Sequence, residues 1–223
     1  MTTAVAPVPR RELESLTAAL ERRLLLALAA RVPARIGPDH LTAVGFAGMV
    51  LAGLAYALSG RMPALLLAAN AALALNWLGD SLDGTLARYR QRQRPRYGFY
   101  VDHMVDAFGA LCLLLGLAAS GWIAPALALA LLLAYLLLSI HIALAACTRG
   151  TFKMSYGLFG GTELRILLAL ANTLVWVAPR VEAAGHAVLL FDLLGAGALA
   201  AVAAVLLASV VQTALALGRE ERL

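Results

Sequence analysis

Long apolar stretches alternate along the chain with brief polar breaks. About 20 consecutive apolar residues are what a helix needs to cross a bilayer. Six such runs follow one another, at about 40–59, 64–88, 98–119, 122–147, 162–179 and 186–217. The breaks at 60–63, 120–121 and 180–185 are short, and those at 89–97 and 148–161 are longer and basic. The last run exceeds a bilayer's thickness, so it is expected to tilt, protrude or break at Gly195 and Gly197. Ahead of the first run the pattern changes. Leu13, Leu16, Leu20, Leu24 and Leu28 recur at spacings of three and four, flanked by charges such as Arg22, Arg23, Glu14 and Glu21. That pattern suits an amphipathic helix lying on a membrane surface. Pro33, Gly37 and Pro38 would end it. The expected architecture is an all-α polytopic membrane protein. Its parts are a disordered segment 1–10, an amphipathic juxtamembrane helix in 11–35, a six-helix transmembrane domain over 36–217 and a tail over 218–223.

Composition agrees. The 223 residues are 62% hydrophobic and 14% charged, where a soluble domain is nearer half apolar and a quarter charged. That leaves little room for a separate globular module. The charged residues of the first 35 positions fit no cleavable signal peptide. The net charge is +5, and its placement is more telling than its size. Of 18 Lys and Arg, only Arg61 and Arg180 fall in the alternate set of breaks. The others lie before the first run, around 88–96, around 149–165 and at the C-terminal end. By the positive-inside rule those segments and both termini face the cytoplasm, as in a protein of the cell inner membrane. Basic loops this short, tied to helix ends, do not suit nucleic-acid binding. Cys112 and Cys147 lie in different apolar runs and give no disulfide framework. Trp122, Trp176, Tyr97, Tyr100 and Tyr156 fall near run ends, where aromatic residues anchor helices at the interface.

Four acids break the apolar pattern. Asp80 and Asp83 lie three apart near the end of the second run, and Asp102 and Asp106 lie four apart near the start of the third. Either spacing puts both acids of a pair on one helix face. The 89–97 connection is short enough to make the two runs an antiparallel hairpin, so both pairs meet at one depth. Ionisable groups in a membrane are costly and usually face a bundle interior or a watery cavity. Four carboxylates together repel unless a cation neutralises them. An all-oxygen donor set favours Mg²⁺, Mn²⁺ or Ca²⁺ over zinc. Four carboxylates can hold two ions, an arrangement that serves displacement at phosphorus. Gly84 and Ala87 would let a ligand approach closely, and Arg88 offers a fork of donors to a phosphate.

In order, these residues read D-x-x-D-G-x-x-A-R, a spacer, then G-x-x-x-D-x-x-x-D, from Asp80 to Arg88 and from Gly98 to Asp106. The pattern resembles the signature of the CDP-alcohol phosphotransferase (CDP-alcohol phosphatidyltransferase) family, with every signature residue present. The spacer between Arg88 and Gly98 is one residue longer than the family's commonest. The six-run plan and the amphipathic N-terminal segment are also similar to the family. So is Pro38-Asp39-His40-Leu41-Thr42, which is similar to a P-N-x-L-T opening with Asp39 in place of Asn.

The resemblance implies a transferase of phospholipid biosynthesis that works as a homodimer in a membrane. It implies that an acceptor hydroxyl attacks the β-phosphorus of a CDP-linked donor and CMP leaves. Asp80, Asp83, Asp102 and Asp106 would hold Mg²⁺ or Mn²⁺, two ions in all, with Asp106 also the general base. Thr42, Asp80, Asp83, Gly84, Ala87, Arg88 and Gly98 would bind the CDP moiety. Arg149, Lys153, Glu163 and Arg165, on the same side as the acids, are candidates for the acceptor alcohol. Two donors remain open: CDP-diacylglycerol with a polar alcohol, placed first, and CDP-choline or CDP-ethanolamine with diacylglycerol. Gly150–Glu163 loosely resembles the aminoalcohol branch and Glu163-Leu-Arg165 the inositol-phosphate branch, so they point to different acceptors. A reading from another class is a membrane cation transporter, with the acids as its ion site. His103, Asn76, Asn172, His141 and Asp192 are expected to serve packing and internal hydrogen bonds.

Overall fold

Proline opens three of the long helices, where its missing N–H costs nothing and its fixed φ suits the first turn. In a computed structural model, residues 10–12, 18–149, 151–153, 160–183 and 185–221 are described. A short helix, α1 (Ala18–Ala29), leads into four long ones, α2 (Pro38–Ser59), α3 (Leu65–Tyr89), α4 (Pro95–Ala119) and α5 (Pro125–Arg149). Helices α6 (Gly161–Val177) and α7 (Leu190–Glu220) complete the bundle. Short strands join them. Strand β1 (Arg10–Glu12) pairs in parallel with β2 (Thr151–Lys153), and β3 (Arg180–Ala183) pairs antiparallel with β4 (His186–Leu189). Helices α2, α3, α4, α5 and α7 are long and apolar enough to cross a membrane. Helix α6, with 17 residues, is not among them.

Helix α2 packs against both α3 and α4, and small residues let it come close. A Cβ on Gly79 of α3 would lie 2.3 Å from the Gly45 nitrogen of α2. One on Gly116 of α4 would lie 2.0 Å from the Gly53 oxygen. Any side chain at either position would push the helices apart. This close packing brings the start of α2 against the end of α3 and the start of α4, where the acids lie.

At the other end of these helices the core is apolar with a closed polar network. Tyr56, Leu66, Val175 and Phe191 are buried together, and the Tyr56 and Phe191 rings meet edge to face. The Tyr56 hydroxyl donates to Asn172 Oδ1 at 2.7 Å, and Asn172 Nδ2 donates to Asn70 Oδ1 at 2.6 Å. Trp122, expected as an interface anchor, also donates inward, to Ser59 Oγ at 2.9 Å. Asp192 accepts from the Ala124 N–H at 2.6 Å, joining α7 to the start of α5.

Three sequence expectations need correction. Helix α1 is described from residue 18, not from 11, and residues 10–12 are in a strand. Leu24, placed in its apolar stripe, is 47% exposed, whereas Leu25 and Ala29 are buried against Leu82 and Leu86 of α3. The covered face is therefore shifted round the helix from Leu24, while Leu28 of the stripe packs against the same cluster, and that face covers part of the protein itself. The last helix starts at Leu190 rather than 186, because residues 186–189 turn back on β3 through Gly185, whose φ of +79° suits glycine. That helix is unbroken through Gly195 and Gly197; Gly195 faces Ile123 and Leu127 at close range. Expectations for residues 1–9, for Leu13, Leu16, Gly150 and Tyr156, and for residues 222–223 lie outside the described residues.

Candidate functional site

Local spacing sets the site's skeleton. Asp80 and Asp83 share a face of α3, and Asp102 and Asp106 share one of α4. Between the helices the chain turns at Gln91, whose φ of 54° is left-handed. Arg90 braces this turn. Its guanidinium donates to the Ile36 carbonyl at 2.6 Å and to the Val32 carbonyl at 2.8 Å. The end of α3 is thereby tied to the segment leading into α2, which delivers Thr42 to the acids.

All four aspartates line one cavity of about 10 Å³, with Thr42, Asn76 and the backbone-close Gly45. That is roughly the room of a single water-sized sphere. Asp83 is buried, Asp80 and Asp102 are half-buried, and Asp106 is exposed. Thr42 Oγ1 donates to Asp83 Oδ2 at 2.6 Å. Asp83 also accepts from the Gly84 N–H. Asp80 is met from α6: Arg165 Nη2 donates to Asp80 Oδ2 at 2.6 Å, while its Nε donates to Asn76 Oδ1 at 2.7 Å. One guanidinium thus spans two residues four apart on α3. Its charge offsets part of the acids' repulsion.

A larger cleft of about 260 Å³ adjoins this cavity and shares Thr42, Asp83 and Asp102 with it. Gly84, Ala87, Arg88 and Gly98 line it too. The residues expected to bind CDP are therefore drawn together, with Asp80 in the adjoining cavity. A Cβ built on Gly98 meets nothing within 4 Å, so the chain's own packing makes no demand for glycine there. What a side chain would narrow is the cleft. Arg88 Nη2 donates to Thr85 Oγ1 at 3.1 Å. The cleft's rim holds groups that sequence alone did not select. Arg94 pairs with Asp39 and lies 4.0 Å over the Tyr97 ring. Basic residues alternate through this loop, and nothing in that pattern marks which arginine pairs with Asp39. Asn76 carried a signal, standing four before Asp80 on the same helix face.

The acceptor candidates divide. Arg165 joins the acids. Glu163 is buried, and its Oε2 accepts the Gly160 N–H at 2.9 Å, so it caps the start of α6. Arg149 ends α5 and Lys153 lies in β2, with their side chains outside the described residues. His103 donates through Nδ1 to the Phe99 carbonyl at 2.8 Å, in keeping with a packing role.

Among the described residues, no three Asp, Glu, His or Cys side chains are grouped so that they could hold a metal ion as they stand. The donor set still fits one chemically. Four carboxylates and a hydroxyl around one small cavity are hard oxygen donors, suited to Mg²⁺ or Mn²⁺. Holding an ion would require them to draw together, with Asp80 and Asp83 exchanging contacts now made to Arg165 and Thr42. Compared with known proteins, the chain matches no family model and no curated protein.

Proposed function

We propose that this protein transfers a substituted phosphate group from a CDP-linked donor, CDP-diacylglycerol first, to the hydroxyl of an acceptor alcohol, releasing CMP. The observation that carries the reading is the convergence of separate sequence segments on one place. Thr42 of α2, Gly84, Ala87 and Arg88 of α3, and Gly98 and Asp102 of α4 line a single cleft beside the four carboxylates. A folding network of ion pairs would need no cleft next to it. A cation pathway would need neither the cleft nor small residues in register with the acids.

The chemistry assigned to the residues follows from their types. Arg88 binds a donor phosphate, for which its planar fork of donors is suited. Gly84, Ala87 and Gly98 leave room for the nucleotide against the helices. Asp106 accepts the proton of the attacking hydroxyl. The acceptor oxygen forms a bond to the donor's β-phosphorus, the bond from that phosphorus to the CMP oxygen breaks, and CMP departs with the electron pair. Asp80, Asp83, Asp102 and Asp106 would hold Mg²⁺ or Mn²⁺, which when bound supplies charge neutralisation for the phosphates. Most of the rate then comes from positioning and electrostatics, as in phosphoryl transfer generally.

The membrane arrangement completes the reading. Helices α2 to α7 are taken as six spans, α6 being at the short end of the range that can cross. The site and both termini face the cytoplasm, where the basic loops lie. Helix α1 lies along the surface, and the protein works as a homodimer. The test is a donor-by-acceptor screen with purified protein in lipid. CDP-diacylglycerol, CDP-choline and CDP-ethanolamine are each offered with polar alcohols or diacylglycerol, and CMP is measured. Metal-dependent CMP release with one pairing is expected. Folded protein that releases CMP with none of them, or that carries Mn²⁺ across liposomes instead, overturns the reading.

A further inference from the structure

The covered face of α1 carries one polar group into the protein. Glu21 lies one turn before Leu25 and two before Ala29, the residues buried against α3. Its carboxylate is met from two other helices. Trp77 Nε1 and Ser81 Oγ, both on α3, donate to Oε1 at 3.0 Å. Thr162 Oγ1, in the first turn of α6, donates at 3.1 Å to Oε1 and 3.2 Å to Oε2.

The register of these contacts matters. Trp77 and Ser81 are each one residue beyond Asn76 and Asp80, the pair that Arg165 spans. Thr162 is three before Arg165 and so shares its side of α6. Helices α3 and α6 are thus joined twice at one level, by Arg165 reaching out from α6 and by Glu21 binding both from outside. Charged groups make the stronger hydrogen bonds, and three donors on one carboxylate fix it in place.

We propose that Glu21 is a positioning residue for the acid site. It holds the first turn of α6 against α3, so that Arg165 meets Asp80 and Asn76 in register. This rests on the reading that Asp80 and Arg165 serve the transfer reaction. It gives the N-terminal helix a part in the chemistry at second hand, through α6, without contact to substrate.

The experiment uses the full chain with Glu21→Ala, Glu21→Gln, Arg165→Gln and the Glu21→Ala/Arg165→Gln double variant. Glu21→Ala lowers kcat/KM for CMP release by about 10- to 100-fold, the scale of a misplaced active-site group. Glu21→Gln, which keeps an oxygen acceptor, recovers most of that loss. In the Arg165→Gln background Glu21→Ala adds little, because both act through one contact and their effects do not add. Wild-type turnover in Glu21→Ala, or an undiminished further loss in the double variant, overturns the proposal.

A second readout needs no turnover. Spin labels at Tyr89→Cys and Leu164→Cys, with Cys112 and Cys147 replaced by Ala, report the spacing of α3 and α6. Glu21→Ala broadens or lengthens that distance and Glu21→Gln restores it. An unchanged distance in Glu21→Ala overturns the proposal. If the wild type releases no CMP, the transfer reading fails, and the label distances alone then decide whether Glu21 positions α6.

Discussion

The two ends of the helix bundle handle polar groups in opposite ways. At the end near Ser59, neutral side chains close on one another: Tyr56 donates to Asn172, Asn172 to Asn70, and Asn70 Nδ2 to the Ala169 carbonyl at 3.1 Å. Tyr56 and Asn172 are fully buried, and the network joins α2, α3 and α6. At the end near Thr42, charged side chains surround a cavity and adjoin an open cleft. The first arrangement leaves nothing for a ligand to do, and its value is to fasten helices where water does not compete. The second leaves carboxylates able to change partners.

Perturbations should separate the ends, and the largest effect is expected from metal removal. Chelation with EDTA should take CMP release to background, with Mg²⁺ or Mn²⁺ restoring it, while the helix content seen by circular dichroism stays constant. Next in size is a contrast between two glycines. Gly79→Ala puts a Cβ against the α2 backbone and should cost about 1–3 kcal/mol or more of stability, the scale of overpacking. It would be seen as a lowered thermal midpoint in detergent. Asn172→Ala should cost about 1–3 kcal/mol by stranding its buried partners. For Asn172→Ala, turnover per folded molecule, measured well below the melting range, should be kept. The smallest effect belongs to Gly98→Ala. With open space around that position, stability should hold, and only the KM for the CDP donor should rise, by about tenfold or less (roughly 1.4 kcal/mol).

What the sequence made legible was local. Spacings of three and four placed each pair of acids on one face, and a short connection made the hairpin, so the α3–α4 part of the site could be read directly. Contacts across the chain could not. Arg165 stands far from Asp80 in sequence, and only the fold shows that it reaches that acid. Glu163 stands two residues before Arg165, and only the fold shows that its carboxylate accepts the Gly160 N–H. Arg90 and Arg94 sit in a run of alternating arginines whose spacing hides that one braces α2 and the other meets Asp39. On α1 leucines stand at 24, 25, 26 and 28, and packing on α3 takes in Leu25 and Leu28 while leaving Leu24 exposed. The apolar run 186–189 suited a helix equally well, and its pairing with β3 decided otherwise.

The account turns on the carboxylates near Thr42 acting as chemical groups and not as structural ones. Asp106→Asn tests this most directly, since it keeps the side chain's size and removes its basicity. CMP release by the variant should fall by about 10²- to 10⁴-fold, the usual worth of a general base, with the thermal midpoint unchanged. Undiminished CMP release would contradict the account, and so would a loss of activity that only follows a loss of folded protein.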